Sequence, residues 1–127
     1  MSNRFTLAIA VLAGVAIGAT AVGSLKAQGK GPAYVITDFE AITNAEGFAA
    51  TAKGLPASLA AGGGKLVART DTAIALDGPV PKRFAIFQFD SVEKAKAWYE
   101  SDAGKASAKG RIDNTKSRSF IVEGIPN

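Results

Sequence analysis

Five side chains in this sequence have the types and placement to do chemistry: Asp38, Arg69, Arg83, Gln88 and Arg111. The three arginines can converge on an anionic small molecule, because a guanidinium grips a carboxylate through two parallel hydrogen bonds. The ordinary alternative is that each pairs with a nearby acid or lies in solvent, as most surface charges do. Asp38 alternates in step with Ile36, and Gln88 with Ile86, so each shares a strand face with an isoleucine. If that face is the inner one, both are polar groups in an apolar chamber. A buried carboxyl there has a raised pKa and can act as a base. On the plain reading, Asp38 simply ends a strand in water.

The residue types that are missing narrow the chemistry further. The chain has no cysteine and no histidine. That excludes disulfides, Cys/His zinc sites, a thiolate nucleophile and a Ser-His-Asp triad. Acid–base work would fall to a shifted Asp, Glu, Lys or Tyr, since the one side chain that titrates near neutrality is lacking. No metal and no cofactor are expected. Trp98 and Tyr99 could wall a pocket, but their helical spacing from Val92 and Ala95 reads as core packing. Gly62-Gly63-Gly64 follows a helix and does not lead into one. It offers no helix N-terminus to a phosphate and reads as a helix stop.

These residues need a scaffold, and the scaffold begins after a leader. The first 37 residues contain no acid, and a charge-free run extends from Phe5 to Leu25 behind Arg4. A basic start, an apolar run and a small-residue exit describe a secretory signal over residues 1–27, cleaved after Gly23 or Ala27. The run also reaches membrane-spanning length, so an uncleaved anchor over residues 5–25 is the rival. The expected location is therefore periplasmic or secreted, with a membrane partner only if the leader stays. Residues 28–32 form a Gly-rich linker and residues 33–125 the single domain. Residues 28–127 carry thirteen Lys or Arg against eleven Asp or Glu, a net charge of +2. There is no basic stripe and so no case for nucleic acid.

Within the domain, Ala33–Phe39 alternates as a strand. Asn44 is placed to cap a helix that carries Phe48, Ala52, Leu55 and Leu59, with a kink or restart near Leu55 forced by Pro56. Lys65–Arg69 reads as a second strand, with Thr70–Leu76 continuing it after a bend. Asp77-Gly78-Pro79-Val80-Pro81 is a turn. Arg83–Phe89 is the third strand, and Ser91 caps a second helix with Val92, Ala95, Trp98 and Tyr99 inside. Asp102–Thr115 reads as irregular or weakly helical, and Ser119–Glu123 as the last strand. The order βαββαβ gives the split βαβ arrangement, with strands one and three central and both helices on one face.

Strand three is apolar on both sides, with Phe84 and Ile86 facing one way and Ala85, Phe87 and Phe89 the other. The side without helices would present an apolar patch to water. Covering two Phe-sized groups stabilises by about 3–6 kcal/mol. A second copy of the chain, stacked with two-fold symmetry, is the economical cover. The space between the two sheets could then hold a small ligand.

These features coincide with a known pattern. Gly63-Gly64-Lys65, Val67, Arg69, Gly78, Arg83, Phe89, Ser91, Ala95, Trp98-Tyr99, Ser101, Arg111 and Val122-Glu123-Gly124 together resemble the domain of unknown function 1330 family, across nearly all of residues 33–125. Thr70-Asp71 departs from it, since glycines usually follow the strand-two arginine there. The resemblance implies an α+β, ferredoxin-like subunit with a four-stranded antiparallel sheet, assembled as a two-fold dimer of the dimeric α/β-barrel kind. It implies no established activity. Three function classes follow. The first is an exported binder of a small apolar or anionic molecule in the dimer chamber. The second is a cofactor-free enzyme of oxygenase or isomerase type. The third is a structural or stress-related interaction protein, whose chamber would be filled by its own side chains.

Overall fold

Four strands and four helices follow one another in a computed structural model that describes residues 31–126. They are β1 (Ala33–Ile42), α1 (Ala45–Lys53), α2 (Leu55–Ala61), β2 (Lys65–Thr70), β3 (Arg83–Phe89), α3 (Val92–Glu100), α4 (Asp102–Asn114) and β4 (Thr115–Glu123). Pro32–Gly124 packs as one unit. The proposed leader and most of the linker lie outside the described residues. Among the described residues, no helix is long and apolar enough to cross a membrane.

The sheet order is β2-β3-β1-β4, with every neighbouring pair antiparallel. This is the ferredoxin-like arrangement, with strands one and three in the middle. Alternation along β1 and β3 sorts the two faces. Ala33, Val35, Thr37 and Phe39 are buried, as are Ala85, Phe87 and Phe89, while the residues between them are more open. The buried set faces the helices and forms the core with Leu59, Ala95 and Trp98. Phe89 is its most completely enclosed large side chain.

The expected helix over Asn44–Leu59 is two helices joined at Gly54. Asn44 caps the first through a 3.1 Å bond from the Gly47 N–H to its Oδ1. Pro56 sits in the first turn of the second, where a missing N–H costs nothing. The glycine stop forms as read. Gly63 takes φ +82°, and the Gly64 N–H returns to the Leu59 carbonyl at 2.8 Å. A side chain at Gly64 would lie 2.5 Å from the Phe89 ring. Beyond Thr70 the second strand does not continue. Thr72 bonds back to the Thr70 hydroxyl, and Ile74 and Leu76 stand in solvent.

The segment after Ser101, expected to be irregular or weakly helical, takes the helical alternative in full. Asp102–Asn114 is a continuous helix, although it buries only Gly104. Local devices build it in place of an apolar stripe. The Ser101 Oγ accepts from the Gly104 N–H at 3.0 Å and donates to the Trp98 carbonyl at 2.6 Å. Lys109 and Asp113 pair one turn apart at 2.7 Å. Asn114 and Thr115 tie the last turn through the Gly110 and Arg111 carbonyls, each at 2.7 Å. β4 then starts at Thr115, four residues earlier than the sequence suggests. Its helix-facing positions include Ser117 and Ser119, hydroxyl residues that do not announce a core strand.

At Gly104 a Cβ would drive into the Trp98 carbonyl and the Tyr99 backbone, neither of which can swing aside. Gly104→Ala is expected to lower unfolding stability in urea by about 3 kcal/mol, at the upper end of ordinary overpacking. Ser101→Ala should lose about 1 kcal/mol, the usual worth of a cap. A Gly104→Ala protein with an unchanged urea midpoint would remove the close contact from the account.

Candidate functional site

Between the sheet and the helices lies a cavity of about 360 Å³, within the size range of small-molecule sites. Its floor lies on a set of rows across the sheet, read from the strand register, of which Ile121 and Ser117 at the β4 edge stand outside the lining. One row is Ile121–Val35–Phe87–Leu66. The next is Ser119–Thr37–Ala85–Arg69. The last is Ser117–Phe39–Arg83. Successive rows are about 7 Å apart, two residues at the usual strand rise. The floor therefore runs from wholly apolar, through mixed, to cationic.

The helices supply walls that match this gradient. Trp98 closes the apolar end. Its ring meets Phe87 and Phe89 at centroid distances of 6.0 and 5.5 Å, and its indole N–H donates to the Ser58 Oγ at 2.8 Å. A Cβ at Gly62 would lie 2.7 Å from this indole, so the glycine lets α2 approach it. Trp98 is both core and wall, at 6% exposure, whereas Tyr99 stands beside the cavity at 40%. Consecutive helical residues point about 100° apart, so the two aromatics cannot both be buried on one face.

At the cationic end, Phe39 and Phe48 meet edge-on at 5.3 Å, and the Arg83 guanidinium lies 5.5 Å over the Phe48 ring. Arg111 projects from the last turn of α4 and donates from Nη1 to the Ser117 Oγ at 2.9 Å. Burial lowers its pKa from the usual arginine value, and the neighbouring Tyr99 works the other way. Arg69 reaches the same cavity from the edge strand. Among the described residues no Asp or Glu lines the cavity. Three guanidinium groups and Lys65 thus line a largely apolar space that no carboxylate lines, and Asp71 stands beside Arg69 and Arg83 around the adjoining depression.

Three of the five residues singled out by sequence, Arg69, Arg83 and Arg111, line this cavity. The other two lie on the helix-free face. Asp38 sits opposite Arg118 on β4, which reaches its Oδ2 from Nε at 3.3 Å and Nη2 at 3.2 Å. Gln88 lies between Tyr34 and Lys65 in the register. Sequence reasoning missed Thr37, Thr51, Ser107 and Ser119, hydroxyl residues that also line the cavity. For Thr37 and Ser119 the signal was present in the alternation of β1 and β4, where each falls at a helix-facing position, whereas Thr51 and Ser107 lie on α1 and α4. The described residues contain no cluster of acidic groups suited to a metal ion.

The family model for the domain of unknown function 1330 matches residues 32–125. A search among curated proteins finds no match. Solved structures with the same fold include a protein of unknown function from Rhodopseudomonas palustris, 18% identical, with a TM-score of 0.61 over 77% of this chain and 85% of that one. SnoaB, a cofactor-independent oxygenase from Streptomyces nogalater, is 11% identical, with a TM-score of 0.54 over 76% and 96%. An ethyl tert-butyl ether d (ethd) family protein from Bacillus halodurans is 16% identical, with a TM-score of 0.53 over 74% and 99%. At these identities the likeness is one of fold.

The indole–hydroxyl bond at the apolar end makes a direct test of the wall. Trp98→Phe strands the buried Ser58 hydroxyl, and Ser58→Ala strands the indole N–H. Each should cost about 1–3 kcal/mol of stability. The double variant should cost clearly less than the two losses added together, because it leaves no polar group alone. Strict additivity in chemical denaturation would show that the bond contributes nothing.

Proposed function

Because the chain belongs to the domain of unknown function 1330 family, whose members carry no assigned reaction by that membership, we propose a function from the cavity itself: it binds a small organic anion with an apolar body. One observation carries this reading. The floor passes from the apolar row Val35–Phe87–Leu66 to the row Phe39–Arg83, Arg69 and Arg111 join the lining, and no carboxylate is among the lining residues. A matching ligand lies along the strands, its anionic head by Arg111 and Arg83 and its body toward Trp98. The site lies within one subunit, under the helices, and not in a chamber between two sheets.

Calorimetric titration with 2-naphthoate and decanoate tests the reading, with 2-naphthalenemethanol as the neutral control. Both acids should bind, and the alcohol should bind at least tenfold more weakly. Arg111→Gln should weaken the acids by about 10- to 100-fold, the range for losing a charge-assisted hydrogen bond. Equal binding of acid and alcohol would sink the anion assignment.

A cofactor-free enzyme is the second reading, and the half-buried Arg111 beside Tyr99 is what favours it. A guanidinium with a phenol at its side can hold an oxyanion as it develops. SnoaB, a fold neighbour, is a cofactor-independent oxygenase. If the bound acid is consumed, Tyr99→Phe should depress kcat with little change in KM. A Tyr99→Phe protein that turns over normally would exclude that role.

We further propose that the protein is exported and pairs through its helix-free face. Export rests on Arg4 and the uncharged run Phe5–Leu25. Pairing rests on the apolar row Ile86–Ile36–Phe120 across three strands, flanked by Phe84, Tyr34 and Val122. Phe120 and Val122 are 42% and 38% exposed. Native mass spectrometry of protein from the producing cell reads both claims. The expected species has twice the mass of a chain beginning at Ser24 or Gln28, and Ile86→Lys should convert it to single subunits. A full-length chain would defeat cleavage of the leader, and a lone wild-type subunit at high concentration would defeat pairing.

A further inference from the structure

The middle row of the cavity floor holds a polar feature that the anionic head does not use. The Thr37 and Ser119 hydroxyls face each other on neighbouring strands at 2.9 Å. Both line the cavity, and Thr37 is only 3% exposed. A hydroxyl carries one donor proton and two lone pairs. The mutual bond consumes one of the pair's two protons. Neither hydroxyl has another hydrogen-bond partner among the described residues, so one proton and several lone pairs stay unspent at the middle of the cavity floor, where Thr37 is buried and Ser119 half-buried. A buried donor left unmade is costly, and such groups in folded proteins normally have a use.

From this pair we infer that the ligand carries a second oxygen, a ring hydroxyl or carbonyl, set about 7 Å along its body from the anionic group, the spacing of adjacent floor rows. The inference deepens the anion-binding reading and rests on it. The substrate class narrows from any amphiphilic acid to an oxygenated aromatic or alicyclic acid. Such a molecule places its acid at Arg111, its second oxygen on the Thr37–Ser119 pair and its bare rim toward Phe87 and Trp98. A plain fatty acid satisfies the head and the apolar end but leaves the hydroxyl proton without an acceptor. The site thereby discriminates against it, as sites with a buried polar group reject analogues that cannot answer it.

The test compares 6-hydroxy-2-naphthoate with 2-naphthoate by calorimetric titration of the intact protein. The hydroxylated acid should bind about fivefold tighter, the ordinary net worth of one hydrogen bond. The double variant Thr37→Val/Ser119→Ala should bring that ratio to about one, since either hydroxyl left alone still has a proton to offer. Thr37→Ser keeps the hydroxyl and should keep the preference, which separates hydrogen bonding from a packing defect. Arg111→Gln should weaken both acids and leave their ratio unchanged. Equal affinities of the wild-type protein for the two acids overturn this inference while leaving the anion reading intact, and would mean that the pair serves an ordered water only. Failure of both acids to bind overturns the anion reading and this inference with it.

Discussion

The indole of Trp98 is where three elements become one structure. It lies against Phe87 and Phe89 of the sheet, and its N–H reaches into α2 at Ser58. Its backbone carbonyl takes the Ser101 hydroxyl that starts α4. Two glycines, Gly62 and Gly104, exist as glycines because a Cβ at either would occupy space that this residue already fills. Removing the indole would unseat α2, and the cavity would lose its apolar wall. Position matters here more than hydrophobic area, since interiors are packed closely enough that a single methyl group is felt.

From that anchor the polarity of the site follows by geometry. Strands rise from an apolar row beside Trp98 to a row that ends in Arg83, and α4 returns at that same end to deliver Arg111. The placement of α4 is therefore a functional matter. Its weak apolar character leaves it held by caps, one ion pair and small-residue contacts such as Gly110 against Thr51. Bulky side chains along it would fill the space beneath. The helix is thin where the cavity is wide.

Much of this was legible in the chain itself. Period-two alternation marked β1 and β3, and hydrogen-bonding residues at Asn44 and Ser91 marked two helix starts. Pro56 announced the break that falls at Gly54, and Gly62–Gly64 the following stop. Strand order came from chain order and the handedness of crossovers. α4 was not legible, because its stability comes from Ser101, the Lys109–Asp113 pair and the Asn114–Thr115 end, none of which leaves an apolar stripe to count. The location of the site was not legible either. Alternation reveals two apolar faces but does not say beneath which one space is left open. That is why Arg69, Arg83 and Arg111 drew notice as anion binders while Asp38 and Gln88, equally plausible by type, lie on the other side. Thr37 and Ser119 escaped notice because a hydroxyl in a strand looks like an ordinary strand former.

The rims of the sheet bear on how the protein behaves in a crowded compartment. β2 is kinked by a bulge between Leu66 and Ala68 and carries Lys65 and Arg69. β4, the opposite rim, carries Lys116, Arg118 and Glu123. Bulges and charges on outer strands block the addition of a foreign strand. End-to-end polymerisation of sheets, the first step toward fibrils, is thereby discouraged at both margins. Growth of any assembly is steered away from the open-ended route and toward contacts that close on themselves.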